Sequence, residues 1–261
     1  MPEERTIAIR NGLFDAQVFT QGSGSPVLFL HGVFPFTEWP KWLNPLARQH
    51  KVYAPAQPGF GESTGLEHLD SMNDLIFYHL ELLDALGLER PDIIGHAQGA
   101  NIAAEIAATC PERVGKLVLV APVGLWMEET PVPDFFSFIK SQFIRAAWHD
   151  PDAAASRGLL AEPEDEQLAK ELDLERIRSL GAASKFLWPI PDRGLNKRIH
   201  RISSPTLILW GASDQFVPPA YGPLFQDSIA GSQLTVLDGS GHLPMLEQPD
   251  EFMTEVLNFL S

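Results

Sequence analysis

Three widely separated segments carry side chains that could act together. Gly95-His96-Ala97-Gln98-Gly99 keeps the outer glycines of the G-x-S-x-G frame, a sharp turn from strand to helix that holds a serine hydroxyl clear of a sheet, but its centre is alanine. Leu209-Trp-Gly-Ala-Ser-Asp214-Gln-Phe-Val-Pro218 places an acid just past an apolar run, and Gly239-Ser-Gly-His242-Leu-Pro244 places a histidine in a glycine-rich loop. An imidazole oriented by a carboxylate accepts and returns protons near neutral pH. A methyl group at position 97 offers no nucleophile.

The elements needed to bring these residues together are legible as alternating strands and helices, which predicts a mostly parallel α/β sheet. Residues 6–10 and 15–20 flank Asn11-Gly12 as a hairpin-like start. Residues 26–31 and 116–121 are apolar runs with the character of buried strands, and 52–55, 92–94, 205–210 and 233–237 read as further strands. Helices are expected over 39–50, 72–86, 101–108 and 249–260. The acid and the histidine then follow strand ends, where loops of an open sheet share one crevice. His31-Gly32-Val33-Phe34 ends an early strand at the same edge.

Residues from Pro122 to about Ile202 break the alternation. They hold several prolines and the aromatics Phe135, Phe136, Phe138, Phe143, Trp148, Phe186 and Trp188, and they read as a helical insertion. Glu162 to Glu171 is expected to be a solvated acidic helix face.

Four segments in this order and context resemble the α/β-hydrolase superfamily over nearly the full chain, and Pro58-Gly-Phe-Gly-Glu-Ser63 resembles the family's segment after the strand preceding the elbow. The resemblance implies an α/β-hydrolase core at 1–122 and 203–261 with a helical cap at about 123–202. It also implies roles. His242 is the base, oriented by Asp214, with Asp238, four residues before it, a weaker rival acid. The backbone N–H groups of Gln98 and of Val33 or Phe34 form the oxyanion hole, and position 97 is the nucleophile. His31 is expected to prop the oxyanion loop. Phe34, Trp126, Trp188 and Leu243 are candidates for an apolar substrate wall, with His96 either lining the pocket or packing.

Three accounts of Ala97 stay open. Alanine could replace a parental serine; the chain could be naturally serine-free, a binding protein or a lyase or oxygenase using the His242–Asp214 dyad; or the original residue could be Asp or Cys. A retained strained turn beside an intact His–Asp pair favours the first. The expected substrate is an ester, lactone or similar small acyl compound with an apolar portion, with a C–C bond hydrolase as an alternative.

The formal charge of −15, from 19 Lys+Arg against 34 Asp+Glu, argues against nucleic acid as a partner. Cys110 is the only cysteine, so no intrachain disulfide can form. No metal-ligand spacing is present, so neither metal nor cofactor is expected. No apolar run is long enough for a membrane span, and the polar first residues lack a signal-like apolar stretch, which together predict a cytoplasmic protein; the sequence leaves monomer and homodimer open.

Overall fold

Buried apolar strands set the architecture in a computed structural model that describes residues 1–156, 163–190 and 192–261. The eight strands are β1 (Glu3–Ile9), β2 (Phe14–Gln21), β3 (Pro26–Leu30), β4 (Lys51–Pro55), β5 (Asp92–His96), β6 (Leu117–Val120), β7 (Thr206–Gly211) and β8 (Gln233–Leu237). They form one sheet in the order β1-β2-β4-β3-β5-β6-β7-β8. β1 pairs antiparallel with β2, and β2 with β4; every later pairing is parallel. β6 and β7 are buried at every position, as parallel strands covered on both faces must be. The edge strand β8 keeps only Leu237 buried.

The helices are α1 (Met72–Ala85), α2 (Gln98–Thr109), α3 (Lys140–Ala147), α4 (Pro151–Ser156), α5 (Glu166–Leu187), α6 (Tyr221–Ser228), α7 (Pro244–Glu247) and α8 (Pro249–Leu260). Ser71 caps α1 by accepting from the Asp74 N–H, and Asp165 caps α5 by accepting from Gln167 and Leu168. The expected helix over 39–50 is absent. Pro40 and Pro45 remove donors there and leave two single-turn helices, Lys41–Leu43 and Leu46–Arg48. α6 carries no strong local signal and was not foreseen.

Among the described residues, the chain between β6 and β7 contains no strand and carries α3, α4 and α5. The acidic stretch is exposed along 164–167 and 170–173, while Glu162 lies outside the described residues. This helical segment is tied to the sheet layer by Arg198, whose guanidinium makes two hydrogen bonds to the buried Glu105 of α2, one of them at 2.6 Å. Desolvation raises the Glu105 pKa, and the Arg198 contact pulls it back.

Candidate functional site

The elbow is built by close packing. Ala97 sits between β5 and α2 at φ 50°, ψ −109°, a region sparsely populated by non-glycine residues that costs of the order of 1–3 kcal/mol. Its N–H donates to Val120 O at 2.9 Å, and its carbonyl accepts from Asn101 N at 3.1 Å. The flanking glycines are required by space rather than by φ. A Cβ on Gly95 would stand 2.5 Å from Ala100 Cα, and one on Gly99 would stand 2.0 Å from Leu30 O. Ala97 is 2% exposed.

Asp214 and His242 meet as the sequence predicts. Asp214 Oδ1 accepts from the N–H groups of Phe216 and Val217 at 2.8 and 2.9 Å, which holds the carboxylate still. Its Oδ2 accepts from His242 Nδ1 at 2.8 Å. Phe216 stacks on the imidazole at 4.7 Å between centroids. Both side chains are inaccessible to solvent. His242 Nε2 is buried and has no hydrogen-bond partner among the described residues. The rival Asp238 is exposed, and it is Asp214 that holds His242 Nδ1.

His96 joins the elbow to this pair. Its Nε2 donates to the His242 carbonyl at 2.8 Å, and the two rings lie 4.7 Å apart. Burial, followed by the proximity of His242, drives the His96 pKa well below its ordinary value, so the ring is neutral. Gly32 is forced by the same packing, because a Cβ there would come within 2.9 Å of His96 Nδ1. His31 braces the adjoining loop. Its Nδ1 donates to Gly32 O at 2.8 Å, and its Nε2 accepts from Gln57 N at 2.9 Å. Burial lowers the His31 pKa to about 4. The backbone N–H groups of Val33, Phe34 and Gln98 donate to no acceptor among the described residues.

A cavity of about 720 Å³ opens beside this arrangement. Its floor includes Gly32, Val33, Phe34, His96 and Leu243, and its roof includes Phe143, Ile144 and Trp148 of the α3 region and Leu172 of α5. Of the predicted wall residues, Phe34, His96 and Leu243 line it. Trp126 does not; it is half-buried elsewhere. Nor does Trp188, which is 50% exposed and meets Phe136 edge-on at 6.3 Å. Phe29 of β3 and the aromatics Phe36, Trp39 and Trp42 of the following segment also line the cavity, and sequence reasoning missed them, the two tryptophans because 39–50 reads as a helix. Phe34 lines the cavity and lies near the pair, 5.2 Å from Phe143 and 6.4 Å from His242 by ring centroids.

A strained strand–turn–helix elbow, a buried Asp–His pair on later strand ends and a mostly parallel twisted sheet define an α/β-hydrolase-fold protein. The chain belongs to the alpha/beta hydrolase family, whose sequence profile matches residues 27–255. It is 31% identical to a 2-hydroxy-6-oxononadienedioate/2-hydroxy-6-oxononatrienedioate hydrolase of Pseudomonas putida, covering 98% of this chain and 96% of that one. It is 28% identical to a 2-hydroxymuconate semialdehyde hydrolase of Pseudomonas sp. strain CF600, over 97% and 91% of the two chains. A solved meta-cleavage product hydrolase from Pseudomonas fluorescens, a serine-to-alanine mutant complexed with acetates, shares the fold at a TM-score of 0.78 and 23% identity, over 98% of this chain and 97% of that one.

Proposed function

We propose that the chain carries a hydrolase site for a small carbonyl compound with an apolar arm. Asp214 and His242 handle the proton, the N–H groups of Val33, Phe34 and Gln98 receive the developing oxyanion, and position 97 is the nucleophile's place. The observation that carries this reading is His242 Nε2, buried and without a partner among the described residues while Nδ1 is fixed by Asp214. That leaves one ring nitrogen to exchange a proton with whatever is bound. Residues 123–202 act as the cap that roofs the cavity.

The relatives favour a carbon–carbon bond as the one broken. A 2-hydroxy-6-oxo dienedioate has no ester to cleave, so adding water must part carbon from carbon beside its ketone. Aryl or alkyl esters and lactones are the second reading, supported by the apolar lining of the cavity. With Ala97 in place no acyl-enzyme can form, and any turnover must come from water activated by His242.

The test is Ala97→Ser. The serine variant is expected to react with a fluorophosphonate and to turn over a 2-hydroxy-6-oxo dienoate faster than an aryl ester, with both activities lost on His242→Ala. Removing a triad nucleophile costs on the order of 10⁶ in kcat, so the gain should span several decades. A folded serine variant that neither labels nor turns over either compound defeats the reading. Turnover by the unaltered chain that depends on His242 would assign the reaction to the dyad alone.

A further inference from the structure

The Asp214–His242 pair is gripped from outside the sheet, by α3 and the residues just after it. His242 N donates to Ala147 O at 2.8 Å, and Gln215 N donates to Ala146 O at 3.2 Å. His149 Nδ1 and Ser213 Oγ share a hydrogen bond of 2.7 Å. These contacts reach His242 itself and both chain neighbours of Asp214.

Glu247 of α7 closes the grip. It is 8% exposed. Its Oε2 accepts from Gly241 N at 2.7 Å, the residue directly before His242. Its Oε1 accepts from His149 N at 2.9 Å and from Asp150 N at 3.5 Å. One carboxylate therefore ties the histidine loop to the helical segment through both oxygens. Position 241 has no room for a side chain, because a Cβ would stand 2.6 Å from Ala147 O and 2.9 Å from His149 N. The loop is thus pressed against that segment along its backbone. The same segment carries Phe143, Ile144 and Trp148 into the cavity roof.

We propose that Glu247 is a positioning residue: by bridging Gly241 to His149 and Asp150 it fixes the rotation of the His242 loop, and so the hydrogen bond between His242 and Asp214. It touches no reacting atom. This rests on the Asp–His pair described above but not on any particular substrate, so its test reads the pair directly.

The experiment is proton NMR of the unaltered chain labelled with ¹⁵N-histidine. A short N–H···O⁻ bond in a water-free site places the Nδ1 proton at low field, and loss of the signal in His242→Gln assigns it. Glu247→Gln keeps the size of the side chain but replaces one acceptor oxygen by an NH₂ group, which cannot receive an N–H. In this variant the His242 signal is expected to move upfield or broaden away, while the His31 ring signals and the far-UV circular dichroism stay as they were. A merely structural glutamate would lower Tm and leave the His242 signal in place; that result in a folded variant overturns the proposal. If the glutamine variant does not fold, Glu247→Asp, which retracts both oxygens by one methylene, is read by the same criterion. If neither folds, Glu247 is a folding residue and the positioning role fails. A parent chain with no low-field signal overturns the Asp214–His242 geometry itself.

Discussion

Neutral histidines define the residue scale. His31 and His79 are both fully enclosed, and burial holds their pKa values at about 4 and about 3, with the proximity of His31 adding to the shift at His79. Neither ring nitrogen of His79 has a hydrogen-bond partner among the described residues, so its contribution is packing. In the unfolded chain both titrate near ~6.5. Below that pH the unfolded state takes up protons that the folded state refuses, so stability is complete above 6.5 and is lost as pH falls. The loss runs through the window down to about 4 for His31 and about 3 for His79. His79→Leu keeps the volume and removes one proton from that slope. Relative to its difference from the parent at pH 8, the variant should gain about 2 kcal/mol at pH 5. Urea denaturation at the two pH values measures this, and an unchanged slope would show that His79 is protonated inside the fold.

At the scale of elements, the elbow depends on α2 lying almost on top of β3. The alanines of α2 permit that approach, and Gly99 sets its limit, since the atoms a Cβ would meet are the Leu30 and His31 carbonyls, which cannot rotate away. Gly99→Ala is expected to cost about 3 kcal/mol or more. Gly181 in α5 meets nothing within 4 Å and lies in a regular helix, so Gly181→Ala should stabilise by about 0.5–1 kcal/mol. Chemical denaturation of the two variants checks the contrast; equal effects would refute the packing account of the elbow. The two glycines also mark how far sequence reading goes. β8 and α8 are readable to the residue, because alternation, a leading proline and a one-sided apolar face are local properties. The Asp214–His242 pair is readable because both follow strands that end at the same edge of the sheet. Residues 39–50 misled because an apolar, Trp-rich run was weighed above the two prolines inside it. Glu247 and the chain around the end of α3 were invisible, since their contacts join segments up to 98 positions apart.

The whole molecule adds a property that neither residues nor elements possess: a cavity enclosed only because loop 31–42, residues 243–246 and the helices between β6 and β7 converge on it. Most of its lining residues are apolar, while the charged Glu38, Lys41, Lys140, Asp173 and Arg176 also contribute. A cavity of this size holds a small organic molecule and excludes most of its surface from water. Because Ala97 cannot form an acyl-enzyme, a bound carbonyl compound should stay bound rather than be consumed through that route, and binding should register as stability. At a hundred times its Kd, a ligand raises stability by about 2.7 kcal/mol. For a domain of this size each kcal/mol shifts Tm by about 2–4 °C. An aryl-substituted oxo-dienoate or a hydrophobic aryl ester should therefore raise Tm by several degrees in a concentration-dependent way. Leu172 lines the cavity yet is 45% exposed, so Leu172→Glu should fold normally. It should also weaken the shift by placing a carboxylate beside the apolar arm of the ligand. Differential scanning fluorimetry of the two proteins across a ligand series decides the matter: a shift equally large in the glutamate variant would place the ligand outside this cavity, and no shift with any member of the series would mean that the cavity is not where the carbonyl compound binds.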